Sequence, residues 1–174
     1  MPLRKKIKKA FSEKQIAKRI DKLGAEIRKD AGKSDIFLLG VLKGTALFLA
    51  DLFRAIPGDV SYGFIDVIRD MADTAVATAM EIDYLQHSDI AGKNVYLLKD
   101  VVSTGVIETY LLQQLRQKNP KSLKLVALVD RPALRTVALE VDYRAFEADH
   151  HGAFVGYGLE WDGKHGNLPY IGRV

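Results

Sequence analysis

The stretch of residues 95–105 constrains the fold of this chain more than any other. An apolar run at 95–98 has the length and composition of a β-strand that is buried on both faces. A charged pair follows it, and a turn of small residues then leads into a segment with helical periodicity: Lys99-Asp100, then Ser103-Thr104-Gly105. A turn that connects a buried strand to a helix N-terminus presents backbone N–H groups to an anion. This stretch therefore predicts a parallel α/β unit with a phosphate-binding turn.

The remaining segments alternate between strand and helix patterns. Ser12, with Gln15 three residues later, has the spacing of a capping box and predicts a helix over 12–24. Further helices are predicted over 45–55 and 107–117, and strands over 36–41, 60–67, 81–84, 95–98, 123–129, 143–146 and 154–157. Such alternation indicates an α/β fold with a mostly parallel sheet. Residues 69–80 have low bulk and mixed polarity, which predicts a mobile excursion or a short helix.

Length and composition predict a single domain that spans residues 1–174. The chain is 48% hydrophobic and 28% charged, as is usual for soluble globular proteins. Its longest apolar stretch, 36–52, is interrupted by glycine and charged residues, so no membrane span is expected. Cysteine is absent, which excludes disulfides and a thiolate nucleophile. No signal peptide is recognisable, and we expect a cytoplasmic location.

The net charge of +4 derives largely from a basic cluster at residues 4–9. We interpret this cluster as the solvated basic start of a helix; attraction to a polyanion is the alternative. Aromatic residues do not alternate with the basic ones, so nucleic-acid binding is not expected. His150 and His151 are adjacent and are interpreted as part of an exposed polar loop rather than as a metal site.

Open parallel sheets bind ligands beyond the carboxyl ends of their strands. In this sequence the rule selects three segments, residues 42–44, 99–107 and 130–132. We therefore expect a ligand site where these three segments meet.

Several motifs in this order resemble the type I phosphoribosyltransferases, and among them the hypoxanthine-guanine branch. They are Leu-Gly-Ala-Glu-Ile (23–27), Gly-Val-Leu-Lys-Gly (40–44), Val-Asp-Tyr (141–143), Val-Gly-Tyr-Gly-Leu (155–159) and Asn-Leu-Pro-Tyr-Ile-Gly (167–172). The resemblance implies an α/β fold with a central, mostly parallel sheet, flanking helices and a small hood. It also implies purine salvage, in which phosphoribosyl pyrophosphate (PRPP) and a purine base give a nucleoside monophosphate and pyrophosphate. Mg²⁺ as cofactor and a homo-oligomer, dimer or tetramer, are implied as well.

The resemblance assigns roles to individual residues. The 5′-phosphate of PRPP would be bound by Ser103, Thr104, Gly105, Val106 and Ile107, and the pyrophosphate by Lys43 and Gly44. Asp100 would hold the ribose hydroxyls. The purine would be bound by Arg131, Phe154 and Val155, and the metal by Glu160 and Asp100. Phe154 is equally well explained as a core residue.

The active site departs from the family pattern at several positions. Lys99 stands where the family has the first acid of a pair, and Ser103 where this branch has an aspartate that acts as general base. Serine is at best a weak replacement for that base. Arg131 replaces a lysine that recognises the purine 6-oxo group, and Gly166 replaces an arginine that contacts pyrophosphate. Residues 68–71 lack the Ser-Tyr pair of the family's mobile lid.

These departures leave three hypotheses open. The chain is a working hypoxanthine/guanine phosphoribosyltransferase, or a catalytically impaired homologue that binds a purine nucleotide or PRPP as a regulator or sensor. The third hypothesis is a phosphoribosyltransferase with altered base specificity, because Arg131 changes the purine wall.

Overall fold

A computed structural model describes residues 7–68, 81–83, 89–149 and 152–174 of the chain. Its strands, in chain order, are β1 (Lys8–Phe11), β2 (Ile36–Val41), β3 (Val60–Ile68), β4 (Glu81–Asp83), β5 (Asn94–Val102), β6 (Ser122–Asp130), β7 (Tyr143–Glu147), β8 (Phe154–Val155) and β9 (Ile171–Arg173). Its helices are α1 (Glu13–Ala31), α2 (Ala46–Ala55) and α3 (Val106–Arg116), with a short 3-10 helix at Pro132–Leu134. None of the helices in these ranges is long and apolar enough to cross a membrane.

The main sheet has the strand order β4-β3-β2-β5-β6-β7, and only its edge strand β4 is antiparallel to its neighbour. A second, smaller sheet has the order β1-β9-β8. The α/β prediction with a mostly parallel sheet is therefore confirmed. We call the three-stranded sheet the small sheet; it is the part of the described structure outside the main sheet that the expected hood would correspond to.

The core lies on both faces of the main sheet, as the continuous apolar runs predict. Leu38 and Leu98 pack with α1 and α2 on one face, whereas Leu39 and Leu97 pack with α3 on the other. All of β2 is buried. Because β2 and β5 are neighbouring parallel strands, the segments that follow them leave the sheet at the same edge.

The central strand β5 is longer than the predicted 95–98. It continues to Val102 because Lys99, Val101 and Val102 keep their pairing with β6. The charged pair therefore lies within the strand rather than after it. Helix α3 begins at Val106 and ends at Arg116, one residue before each predicted bound.

The N-terminal segment differs from the prediction. Lys8 and Lys9 lie in β1 and not at the start of a helix, so that interpretation of the basic cluster is wrong for these two residues. Strand β1 pairs with β9, a three-residue strand that the sequence did not predict, and Phe11 stacks on Phe146 with ring centroids 4.0 Å apart. A β-strand thus precedes α1, because cross-strand pairing and this aromatic contact outweigh the basic composition.

Helix α1 begins as predicted. The Ser12 N–H donates to Gln15 Oε1 at 2.8 Å, and the Gln15 N–H donates to Ser12 Oγ at 3.4 Å, which confirms the capping box. The predicted excursion at 69–80, most of the lid segment and the pair His150-His151 lie outside the described residues.

Candidate active site

The three segments selected by the sequence lie at the carboxyl ends of the neighbouring strands β2, β5 and β6. The loop after β2 contacts the end of β5: a Cβ atom built on Gly44 would overlap Asp100 Oδ2 and lie 2.9 Å from its Cγ. The structure thus brings Gly44 and Asp100, two residues predicted for separate parts of one site, directly against each other.

The loop after β2 is closely packed against the rest of the site. It starts with a cis peptide between Leu42 and Lys43. Thr45 is completely buried, and its hydroxyl donates to the Val41 carbonyl at 2.6 Å. A Cβ atom on Gly158 would lie 2.9 Å from the Gly44 carbonyl oxygen. The loop therefore leaves no room for a side chain at Gly44.

The turn between β5 and α3 requires glycine at its last position. Gly105 has φ 83°, in the left-handed region that favours glycine. A Cβ atom there would also lie 2.9 Å from Arg135 Cδ and 2.9 Å from Leu139 Cδ2. The Thr104 hydroxyl accepts a hydrogen bond from the Val106 N–H at 3.5 Å, at the start of α3. The predicted phosphate-binding residues 103–107 thus form a tight turn at a helix N-terminus.

The carbonyl groups of this turn are bound by the segment after β6. Val102 O accepts from the Arg131 N–H at 2.9 Å, and Thr104 O accepts from the Thr136 N–H at 3.0 Å. Between them, Ser103 O accepts from Arg135 Nη1 at 2.7 Å. Three consecutive carbonyls are therefore held by residues 131–136.

The charged pair at the end of β5 forms an ion pair within the site. The Lys99 ammonium contacts Asp100 Oδ1, which also accepts the Val101 N–H at 2.8 Å. Both side chains are mostly buried, with 17% and 21% of their surfaces exposed. One carboxylate oxygen of Asp100 is thus occupied, and the other faces Gly44.

A second carboxyl group, that of Glu108, lies near this ion pair. Glu108, on the first turn of α3, is 4% exposed. Burial raises the pKa of Glu108, while the positive charges of Lys99 and Arg135 oppose that rise. Lys99 is therefore near two carboxyl groups, Asp100 and Glu108.

The predicted purine wall lies at the end of β6. Arg131 is 8% exposed, and its guanidinium carbon lies 5.7 Å from the centroid of the Phe154 ring. Burial lowers the pKa of Arg131. Phe154 is 6% exposed and belongs to the hydrophobic core, which favours its interpretation as a core residue over a stacking one. Val155 is fully buried and pairs with Gly172 of the small sheet.

Glu160, the other residue predicted to bind the metal, is exposed and follows the Gly-Tyr-Gly-Leu segment 156–159. A Cβ atom on Gly166 would lie 2.8 Å from Glu160 Cγ, so Gly166, which departs from the family pattern, lies close to Glu160. Within the described ranges, no group of three or more His, Cys, Asp or Glu side chains is arranged to hold a metal ion.

A family model described as the phosphoribosyl transferase domain matches residues 8–161. A hypoxanthine-guanine phosphoribosyltransferase of Bacillus subtilis is 32% identical over 163 residues, which cover 93% of this chain and 89% of that protein. One from Streptococcus pneumoniae is 35% identical over 168 residues and 92% of its length. The chain belongs to the hypoxanthine-guanine phosphoribosyltransferase family.

Solved structures support the same membership. A crystal structure of a hypoxanthine-guanine phosphoribosyltransferase from Bacillus anthracis, with a HEPES molecule in its active site, has a TM-score of 0.86 and 33% identity. The alignment covers 97% of this chain and 99% of that one. The expected type I phosphoribosyltransferase fold is thereby confirmed.

This hypoxanthine-guanine phosphoribosyltransferase homologue has three further residues at the site that the sequence analysis did not predict: Glu108, Arg135 and Thr136. Glu108 could have been found from the sequence, because it lies on the same helical face as the buried Leu111, Leu112 and Leu115, where a charged residue is unusual. Arg135 and Thr136 could not be found in this way, because they donate to backbone carbonyls, which every residue provides.

Proposed function

We propose that this chain transfers the 5-phosphoribosyl group of PRPP to hypoxanthine or guanine in purine salvage. The observation that carries the proposal is the direct contact of the Gly44 loop with Asp100, next to the glycine turn that starts α3. Ribose, diphosphate and 5′-phosphate are joined in PRPP, and a protein that binds it needs sites for all three at one place. The family membership supports the same function.

Each part of the substrate has a proposed set of residues. The turn 103–107 binds the 5′-phosphate through backbone N–H groups, and the Asp100 carboxylate accepts hydrogen bonds from the ribose hydroxyls. The N–H groups of Lys43 and Gly44 approach the diphosphate. Arg131 donates to the purine 6-oxo group, and the Val155 backbone contacts the edge of the base.

The reaction breaks the bond between C1′ and the pyrophosphate oxygen and forms a bond from C1′ to the purine N9. The bonding electrons leave with pyrophosphate, and the purine gives up a proton. Ser103 has no accessible anion at neutral pH, so general-base assistance, worth roughly 10²- to 10⁴-fold, is missing and the proton passes to water. We therefore expect turnover that is slow for the family.

Mg²⁺ is implied by the family, but the residues present at Asp100 do not fit it. Asp100 Oδ1 already contacts the Lys99 ammonium and accepts the Val101 N–H. A divalent cation at the same carboxylate would lie beside a positive charge in a mostly buried position, where like charges repel strongly. We propose that PRPP binding depends on Mg²⁺ less than the family pattern implies.

The alternative, a binding protein without turnover, is not favoured by the relatives, which are named as transferases. Incubation with PRPP and labelled hypoxanthine, guanine or adenine, followed by chromatography of the nucleotides, separates the possibilities. The proposal predicts nucleotide from hypoxanthine or guanine. Nucleotide from adenine alone indicates altered base specificity, and binding of inosine monophosphate without any turnover supports the regulator or sensor.

We also propose a single-domain homo-oligomer, dimer or tetramer, with a cytoplasmic location. The absence of cysteine from the sequence supports the location, since cytoplasmic proteins do not rely on disulfides. Light scattering during size-exclusion chromatography tests the oligomeric state, and a monomer at micromolar concentration contradicts it.

A further inference from the structure

We propose that Arg135 is a positioning residue that orients the phosphate-binding turn and links it to the segment that carries Arg131. This inference rests on the proposed function, because it assigns Arg135 a role in binding PRPP. No sequence motif of the chain pointed to Arg135, and the side chain has no direct place in the substrate contacts described above.

Arg135 makes two contacts at once with the two ends of its guanidinium fork. Nη1 donates to the Ser103 carbonyl at 2.7 Å, and Nη2 pairs with Asp130 Oδ1. Its side chain is only 12% exposed, and its stem closes over Gly105. A planar fork can hold two partners in one fixed geometry, which the single ammonium of a lysine cannot do. Arg135 therefore joins the turn after β5 to the end of β6.

The geometry of the peptide bond makes the Ser103 contact important for anion binding. In a planar trans peptide the C=O and the following N–H point in opposite directions. Because the Ser103 carbonyl points to Arg135, the Thr104 N–H points away from it. The neighbouring carbonyls of Val102 and Thr104 are also held by residues 131–136. The N–H groups of residues 103–105 are thus turned to the opposite side, the arrangement of an anion-binding nest.

The same contact couples the phosphate site to the base site. Asp130 is 2% exposed, ends β6 and directly precedes Arg131. The Arg131 N–H in turn donates to Val102 O at 2.9 Å. A change at Arg135 therefore releases both the turn and the start of the segment that carries Arg131. We expect the affinities for PRPP and for hypoxanthine to fall together.

Arg144 provides a matched control within the same network. It also pairs with Asp130, with Nη1 at 3.0 Å from Oδ2, but its further partner is Glu147 rather than the turn. Its side chain is 43% exposed. Arg135 and Arg144 thus share one buried carboxylate, and only Arg135 contacts a carbonyl of the phosphate-binding turn.

The test compares Arg135→Met and Arg144→Met by calorimetric titration with PRPP, by steady-state kinetics with hypoxanthine and by thermal unfolding. The bond from Arg135 to the Ser103 carbonyl is a hydrogen bond from a charged group, and a turn that PRPP has to order without it should bind PRPP about 10- to 150-fold more weakly. We expect Arg135→Met to raise Kd and KM for PRPP by about 10-fold or more, a larger change than in kcat. Arg144→Met should stay near the wild-type values. Arg135→Lys keeps the charge but loses the fork, and its Kd for PRPP should lie between those of the wild type and Arg135→Met.

Equal PRPP affinity of Arg135→Met and the wild type overturns the inference and leaves the proposed function intact. Equal weakening by Arg144→Met also overturns it, because the effect is then general to the Asp130 network. If Arg135→Met does not fold, the Arg135→Lys titration decides: wild-type affinity contradicts the role of the fork. A wild-type protein that does not bind PRPP refutes the proposed function, and this inference with it.

Discussion

Replacement of Gly44 by alanine changes the one point at which the loop after β2 meets Asp100. The new Cβ atom would overlap Asp100 Oδ2 and lie 2.9 Å from Cγ and 3.1 Å from Cβ. The carboxylate cannot turn away easily, since Oδ1 is held by Lys99 and by the Val101 N–H. The loop is also close to Gly158, where a Cβ atom would lie only 2.9 Å from the Gly44 carbonyl oxygen. The alanine therefore has to displace either the carboxylate or the loop.

The cost follows from these contacts. Overpacking of a tightly packed position costs about 1–3 kcal/mol. At about 2–4 °C per kcal/mol for a chain of this size, we expect Gly44→Ala to lower Tm by roughly 2–12 °C. If the Gly44 N–H binds the diphosphate, loss of that charged hydrogen bond removes about 1.5–3 kcal/mol, so PRPP affinity should fall by about 10- to 150-fold.

Gly40→Ala is the matched control for this experiment. Gly40 lies in β2, the strand before this loop. Its Cβ atom would lie 2.8 Å from Leu49 Cδ1 and 3.0 Å from Phe64 Cδ1, among apolar side chains. It should lower Tm in circular-dichroism melting without weakening PRPP binding in calorimetry. Wild-type PRPP affinity in Gly44→Ala, or equal weakening in both variants, would refute the proposed role of the loop.

Three further predictions concern the charged residues of the site. Ser103→Asp combined with Lys99→Glu should raise kcat for hypoxanthine, by up to roughly 10²- to 10⁴-fold; no rise at all contradicts the assigned positions. PRPP binding by the wild type should change little when EDTA replaces Mg²⁺ in calorimetry, whereas Lys99→Glu should make it metal-dependent; a strong requirement in the wild type contradicts the role of Lys99. Burial raises the pKa of Glu108, so its carboxyl group holds a proton more tightly in the folded state than in the unfolded state. The folded state therefore loses stability as the pH rises through the pKa that Glu108 has when folded. Glu108→Gln should therefore raise Tm at pH 7, and this gain should vanish below the carboxyl's ordinary pKa of 4.5; a pH-independent difference contradicts it.

The main strands could be predicted because they are buried on both faces, which leaves continuous apolar runs in the sequence. The bounds of β2 match the predicted strand. Strands β1 and β9 could not be predicted in this way, since they are short and depend on pairing with each other over a separation of the whole chain. Their stability comes from tertiary contacts such as the stack of Phe11 on Phe146.

The site was predictable where a motif has a local backbone requirement, as at Gly105 with its positive φ. Adjacency in a strand does not by itself require the contact between Lys99 and Asp100, because neighbouring side chains point to opposite faces. The long lysine stem nevertheless brings its ammonium back to the carboxylate at the strand end. The contacts of Arg135 and Thr136 with the turn are equally absent from the sequence pattern, because their acceptors are backbone carbonyls.

The most direct test of the account is a crystal structure of the protein with bound inosine 5′-monophosphate, the proposed product from hypoxanthine. The account predicts the 5′-phosphate in the turn 103–107, the ribose hydroxyls at Asp100 and the purine 6-oxo group at Arg131. A nucleotide bound away from the turn, or no bound nucleotide at saturating concentration, would contradict the account.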